Sequence, residues 1–551
     1  MLTSLLLCMA LTGFSFMILE IVVLRELLIT LGGSINASSA TLAAVMFGLF
    51  LGSQIFGRLC GRWKRIKLLL IGMQFALALS AMTLVLALRA IGLADAWWLR
   101  YGLSFCVILI PSLLAGGQLP VAMQYAEPII AKGKTGFYTG SIYGADALGA
   151  VLGSLTFPFL ILPYTGILRG SFVAATADVL GCVILALWAS NKTKLVRFSL
   201  LSAPMAILLA SLFLNAGWAD RASASWAMGI WYPPLAASSH HYVKDTPYQK
   251  IQVLEGFTDD GRPGTRVLYL DGITQSTSPQ SPRLREFVFL ALLAHPNPKH
   301  ILLIGCGDGN LLVSLLADRR VKDIDQVELD REVIETAKSR LPGLNRYNAK
   351  IVWDDPRIHL HIGDGHKFLR DSSVRYDVII VDINNASTEA GSIFYSKEFM
   401  RLAKDHLADT GIFLTHVTRF ERQNNDLKPG LAALLIAART AQTAFNDKVF
   451  LFEPRLWPIK KQPEDWTENP FLMASNGPLH FTEQKIRERI QFFSPQPEWM
   501  TPGLFLRWMH NSSIPEGIEG FSISTDDNPA ILFPQRWARS NVIDKILRLD
   551  D

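Results

Sequence analysis

Seven long apolar runs occupy residues 3–31, 38–57, 68–88, 101–124, 139–163, 170–189 and 198–216. No other feature of the chain restricts its fold so tightly. A bilayer core is roughly 30 Å thick and takes about 20 helical residues to cross, with every backbone N–H and C=O bonded inside its own segment. Residues 1–216 are therefore expected as a multi-pass α-helical bundle of about seven transmembrane helices, with the lipid bilayer as a partner. The first run is too long for a secretory signal and shows no cleavage pattern.

Charge follows the same division. Residues 1–216 hold 14 Lys and Arg against 6 Asp and Glu, of 53 and 48 in the whole chain, so the basic excess sits in the apolar part. That is a membrane signature, and no nucleic-acid partner is expected. The loop with Arg58, Arg62, Lys64, Arg65 and Lys67 should be cytoplasmic, together with Lys132, Lys134, Lys192, Lys194 and Arg197. Seven crossings from an inside N-terminus would leave the remainder outside. A cytoplasmic remainder, the expectation here, needs an even count, with the first run or 101–124 re-entrant.

Details inside the runs carry further expectations. Pro111 and Pro120, with Gly116-Gly117 between them, suggest a kinked or broken helix. The pairs Gly48/Gly52, Gly140/Gly144 and Gly149/Gly153 are spaced for close helix contacts. Glu20, Arg25, Glu26, Asp146 and Asp178 should face one another, or a wet path for a cationic or amphiphilic substrate, because unpaired charge in lipid is costly.

The remainder divides by composition. Residues 217–245, with Trp218, Trp226, Trp231 and Tyr232, read as an interfacial linker. His240-His241 within it reads as an exposed pair, since neighbours on a strand point to opposite sides. Residues 246–299 read as a small β-domain with strands at 251–254 and 266–270. Residues 300–425 alternate strands with helices such as 331–340 and 397–406, as a parallel sheet requires. Residues 426–551 extend that domain with apolar pieces at 449–452 and 470–473 and a charged helix near 482–493. The five cysteines, Cys8, Cys60, Cys106, Cys182 and Cys306, form no CxxC and no cluster with His, so neither a metal nor a disulfide framework is expected. Cys306 reads as a small residue in a crowded turn.

Chemistry concentrates between residues 300 and 382. Ile301-Leu302-Leu303-Ile304 leads into Gly305-Cys306-Gly307-Asp308-Gly309-Asn310 and a second apolar run, the order of a strand, a tight turn and a helix. Such a turn brings backbone close to a ligand, and the helix start aims its N–H groups into it. About twenty residues on, a strand ends at Glu328, the spacing at which a carboxylate meets ribose hydroxyls in a Rossmann-like unit. Gly363-Asp364-Gly365 follows a third strand, and a buried strand ends at Asp382. Ligands in open α/β sheets bind at such tips, so Asp308, Glu328, Asp364 and Asp382 are expected on one rim.

Over about residues 246–417 the chain resembles the spermidine synthase (polyamine aminopropyltransferase) family, a branch of the Rossmann-like class that binds S-adenosylmethionine. The likeness rests on Thr246-Pro247-Tyr248-Gln249, Leu270-Asp271-Gly272-Ile273-Thr274-Gln275, the glycine turn, Gly363-Asp364-Gly365 and Val381-Asp382. Thr525-Asp526-Asp527-Asn528-Pro529 resembles the membrane-fused members. The resemblance implies transfer of an aminopropyl group from decarboxylated S-adenosylmethionine to a putrescine-like amine, with release of methylthioadenosine and without a metal. By the family pattern Asp382 is the base, Glu328 binds the ribose, and Asp364 with Gly365 holds the adenine edge. Gln249, Gly305, Gly307 and Asp308 fix the rest of the nucleotide, and Tyr248 and Gln275 lie near the acceptor. A second copy of the chain is a further expected partner.

Two departures bear on the amine. Asn385 and Ala386 stand where the family has a second acid followed by proline, and Arg285-Glu286-Phe287 with Phe289-Leu290-Ala291 stands where acids grip the amine. Arg285 can pair with a carboxylate, which full S-adenosylmethionine carries and the decarboxylated donor lacks. The alternatives are therefore a methyl- or aminocarboxypropyltransferase using S-adenosylmethionine on a less charged or membrane-delivered acceptor, or a non-catalytic nucleotide-binding membrane protein. Aminopropyl transfer stands first because the whole-domain likeness outweighs one position.

Overall fold

The computed structural model describes residues 2–31, 35–130, 134–187, 210, 213–214, 216–224, 226, 242–255, 266–278, 286–341, 343–383, 389–417, 428–446, 448–452, 470–497, 500–512, 514–532 and 543. The chain divides into two compact units, Met1–Leu254 with Tyr269–Ile273, and Glu255–Leu268 with Thr274–Asp551.

The first unit is mainly helical: α1 (Leu2–Thr30), α2 (Ile35–Leu59), α3 (Ile66–Ile91), α4 (Trp97–Ala126), α5 (Thr135–Thr156) and α6 (Leu162–Leu187). Five helices among the described residues are long and apolar enough to cross a membrane, and the fifth, Thr135–Leu187, runs for 53 residues. That stretch contains two of the expected runs, while the run at 198–216 lies largely outside the described residues. Neither segment offered as re-entrant is short or interrupted. The α1 helix has 29 residues, and α4 passes through Pro111 and Pro120 as one helix of 30. The break falls instead at Gly166, with φ 74° and ψ 178°, a backbone state that only glycine adopts without strain.

Two of the three glycine pairs pack as expected. A Cβ on Gly52 would lie 2.0 Å from the Leu113 carbonyl oxygen of α4, and one on Gly149 would lie 1.8 Å from that of Ala10 in α1. Gly140 and Gly144 do not: an added Cβ at either meets nothing within 4 Å. The five charged residues do not pair with one another. Glu26 pairs with Arg89, Arg25 binds backbone carbonyls, and Asp178 accepts a hydrogen bond from Ser15 at 2.7 Å. Strand β1 (Tyr242–Asp245) pairs antiparallel with β2 (Lys250–Glu255), Asp245 opposite Lys250. The boundary between the units passes through β2, β3 (Arg266–Leu270) and β4 (Ile273–Ser278). His240, His241, the linker beyond Trp226 and the connection 256–265 lie outside the described residues.

The second unit is built on seven strands: β5 (His300–Gly305), β6 (Asp323–Glu328), β9 (Ile358–Ile362), β10 (Tyr376–Asp382), β11 (Leu407–His416), β12 (Val449–Phe452) and β13 (Phe471–Ser475). Strands β7 (Arg346–Tyr347) and β8 (Lys350–Ile351) make a separate small hairpin. The sheet order is β12-β13-β11-β10-β5-β6-β9. The five strands from β5 to β11 are parallel, and β12 and β13 add an antiparallel edge. The central strands read as unbroken apolar runs because both faces are covered. Leu302, Ile304, Ile379 and Val381 enter one core with helix α12 (Lys428–Phe445), while Ile301, Leu303, Val378 and Ile380 enter the other with α7 (Glu286–Ala294) and α8 (Asn310–Ala317). Successive strands run outward from β5 through β6 to β9, then restart at β10 on its other side. The order therefore reverses between β5 and β10, and a ligand crevice belongs at their C-terminal ends.

Candidate active site

The reversal point brings Gly305 and Asp382 side by side as paired residues of β5 and β10. Gly305 has φ 89°, and a Cβ there would lie 2.0 Å from the Asp382 carbonyl oxygen. That approach admits only glycine, which also accounts for the left-handed backbone. The turn then folds back on the strand tip: Cys306 N–H donates to the Asp382 carbonyl at 3.2 Å, and Gly309 N–H donates to that of Cys306 at 2.9 Å. Cys306 itself has φ 59°, and its thiol is buried and pushed far up by burial and by Asp308. It fills the turn, with its sulfur accepting from Leu311 N–H at 3.4 Å.

Gln326 pins the turn from β6. Its amide nitrogen donates to the Gly305 and Cys306 carbonyls at 3.1 and 2.9 Å, and its oxygen accepts from Trp353 Nε1 at 2.7 Å. Two residues on, Glu328 lies against Gly307, where an added Cβ would come within 2.9 Å of Glu328 Oε2. Asp330 N–H donates to Glu328 Oε1 at 3.0 Å, and Asp330 in turn caps α9 (Arg331–Arg340). Burial pushes the Glu328 carboxyl up to about 7, with the charges of Asp330 and Asp308 adding to it.

Asp308 serves its own helix. Its two oxygens accept from the Asn310 backbone N–H at 3.1 Å and the Asn310 side-chain amide at 3.0 Å, which satisfies donors at the start of α8. Its charge still acts on its neighbours. Asp364 is exposed and caps α10 (Gly365–Asp371), accepting from Lys367 N–H at 2.8 Å. Gly365 is buried against Ile304, within 2.3 Å of where a Cβ would sit. Gly363 N–H donates to the Glu328 carbonyl at 2.9 Å, so the tips of β6 and β9 are tied together.

Asp382 carries the most chemistry. Burial, then the charge of Asp308, raises its carboxyl to about 7, and Glu328 adds to that. His416, at the tip of the adjacent strand β11, places Nδ1 3.2 Å from Asp382 Oδ1. Burial lowers this imidazole to about 4, so at neutral pH it is uncharged. Tyr395, fully buried, donates to the His416 carbonyl at 2.7 Å and fixes that tip. The result is a carboxyl poised to exchange a proton at neutral pH, braced by a neutral ring.

The rim thus gathers Gly305, Gly307, Asp308, Glu328, Asp364, Gly365 and Asp382. Gln275 sits partly buried on β4 of the same unit. Tyr248 and Gln249 belong to the first unit, in the turn between β1 and β2, with Tyr248 exposed. Arg285 and Asn385 lie outside the described residues. Sequence reasoning passed over Gln326, Trp353 and His416. A histidine at a parallel-strand tip was the signal for His416, whereas Gln326 stands in a mostly polar strand, Asp323–Glu328, and gave none. Trp353, in a short 3₁₀ turn, left none. Among the described residues no group of three or more His, Cys, Asp or Glu side chains is arranged to hold a metal.

Comparison with known proteins bears on the same region. The family model described as the spermine/spermidine synthase domain matches residues 285–433. Polyamine aminopropyltransferase 1 of Streptomyces coelicolor is 28% identical over 386 residues, covering 69% of each chain. The polyamine aminopropyltransferase of Corynebacterium efficiens is 30% identical over 398 residues, 69% of this chain and 70% of that one. That of Thermococcus kodakarensis is 30% identical over 279 residues, 49% of this chain and 89% of that one.

Proposed function

This chain belongs to the spermidine synthase (polyamine aminopropyltransferase) family of transferases, and we propose that it is a membrane-bound member. In this reading it moves an aminopropyl group from decarboxylated S-adenosylmethionine to an amine and releases methylthioadenosine. The observation that carries the reading is Asp382, a carboxyl raised to about 7 at the topological switch point beside the glycine turn. The five long apolar helices support the membrane attachment, and the basic loop around Arg58 to Lys67 supports a cytoplasmic catalytic unit.

The donor's sulfonium is already a good leaving group, so the protein's work is placement and proton removal. Glu328 accepts from the ribose hydroxyls, with Gly307 lacking the Cβ that would press on its carboxylate. Asp364 and Gly365 hold the adenine edge, and the turn 305–309 carries the remainder. Tyr248, Gln249 and Gln275 keep the substrate contacts that the family pattern gives them. The acceptor nitrogen forms its bond to carbon with its lone pair as the carbon–sulfur bond breaks and that pair returns to sulfur. Asp382 first takes one proton from the acceptor ammonium, which frees the nitrogen's lone pair, and its value near 7 suits the exchange at neutral pH. His416 braces the carboxylate in the orientation that faces the incoming nitrogen.

The purified full-length chain should release methylthioadenosine from the decarboxylated donor only when an amine is supplied. Asp382→Ala should lose that release. Absence of release with every di- and polyamine tried would overturn the proposal.

A further inference from the structure

A buried ion cluster inside the first unit takes no part in the chemistry above. Glu26 of α1 holds Arg89 of α3 in a two-pronged pair, Oε1 to Nη2 at 2.7 Å and Oε2 to Nε at 3.1 Å. Lys250 Nζ of β2 lies 3.2 Å from the same Glu26 Oε1 and 3.4 Å from Asp245 Oδ1 of β1. Arg89 Nη1 also meets Asp220 Oδ1 and Ser223 Oγ, each at 2.8 Å. Glu26, Arg89, Lys250 and Asp245 are at most 3% exposed. The other oxygen of Asp245 accepts from Ile167 N–H at 2.9 Å, which caps the helix that restarts after the Gly166 break.

The cluster therefore joins two long helices, the restart of a third and both strands of the β1–β2 hairpin. A buried charge without its partner is costly, so each member stands only while the others are in place. The segment these strands enclose is the turn 246–249. Thr246 closes it, its N–H donating to the Gln249 carbonyl at 2.9 Å and its hydroxyl accepting from Gln249 N–H at 3.0 Å. Arg25, next to Glu26 on α1, donates to the carbonyls of Thr246 and Pro247, the latter at 3.2 Å. Lys250, immediately after the turn, is fixed at its backbone as well, through Asp271 Oδ1 at 2.8 Å.

We propose that Arg25, Glu26, Arg89 and Lys250 are positioning residues for the transfer reaction, through which the helical bundle holds the turn 246–249 in the form that binds substrate. The inference rests on the reading that Tyr248 and Gln249 touch the substrates. It gives the helices a part in catalysis beyond attachment.

The test uses the full-length protein in nanodiscs. Arg25→Met removes the donors to the turn and leaves the buried pairs intact, so folding is not the question; Arg25→Lys keeps one donor. Arg25→Met should raise the KM for the decarboxylated donor and weaken methylthioadenosine binding about five- to tenfold, the scale of a charge-assisted hydrogen bond, with kcat within about twofold. Arg25→Lys should recover most of that loss. Hydrogen exchange in the peptide spanning 246–249 needs no ligand and should speed up in Arg25→Met. Lys250→Met, where it folds, should act in the same direction. A folded Arg25→Met with unchanged KM, whether or not exchange accelerates, overturns the inference. A wild type that binds no nucleotide and turns over no donor brings down the reading beneath it, and the inference with it.

Discussion

Replacing Asp382 with Asn should abolish turnover and at the same time make the second unit more stable above neutral pH. The side chain is held in the fold at about 7, against an ordinary value of 3.8, mainly by burial and then by Asp308. A group whose folded value lies above its unfolded one contributes stability that is complete below the unfolded value and lost as pH rises through the folded one. For Asp382 that window runs from about 4 to about 7. At about 1.4 kcal/mol per pH unit the full separation sets a ceiling of about 4 kcal/mol, of which about 2–3 kcal/mol falls between pH 5 and pH 8. Asn has no proton to lose, so its advantage over Asp should grow by that amount across the interval. For a unit of this size the change corresponds to about 3–5 °C in melting temperature. Scanning fluorimetry of both proteins at pH 5, 6, 7 and 8 measures it, beside a methylthioadenosine-release assay in which kcat should fall about 10²- to 10⁴-fold. A stability difference flat in pH, or turnover within tenfold of wild type, would refute the argument that this carboxyl is strained toward its base role.

Glu328→Ala should weaken methylthioadenosine binding by about 1–3 kcal/mol in calorimetry, the scale of a hydrogen bond to a charged group, with the fold intact. Gly305→Ala forces a Cβ to within 2.0 Å of the Asp382 carbonyl at a left-handed φ, and should lower the melting temperature by an amount matching about 2 kcal/mol or more while eliminating turnover. A reporter fused after Asp551 should be active as a cytoplasmic fusion, and activity confined to the periplasmic form would contradict the proposed side.

The glycine turn and the strand tips were legible because their signals are local. Four strands in order carry a carboxylate at the tip or in the turn just past it, Asp308, Glu328, Asp364 and Asp382, and the parallel sheet converts that order into adjacency. The bundle's helices were legible for the same reason, since length and apolarity alone select them. What stayed hidden depends on partners far apart in sequence. Glu26 was visible as a charge out of place, yet Arg89 and Lys250, 63 and 224 residues away, drew no notice until the fold brought them together. The His416–Asp382 contact needed the β10–β11 pairing, which periodicity does not give. Spacing also misled: Gly140 and Gly144 have the same separation as Gly149 and Gly153, but only the latter pair meets α1. The break expected at the prolines of α4 fell at Gly166, where a left-handed backbone and the Asp245 cap restart the helix; proline spacing said nothing of either.

Donor choice separates aminopropyl transfer from methyl and aminocarboxypropyl transfer. The purified chain is given an amine acceptor, unlabelled decarboxylated S-adenosylmethionine and isotopically labelled S-adenosylmethionine in one vessel, and the product amine is weighed by mass spectrometry. An amine heavier by one unlabelled aminopropyl group is expected, with the labelled donor unconsumed. A product carrying a labelled methyl or aminocarboxypropyl group would contradict that expectation.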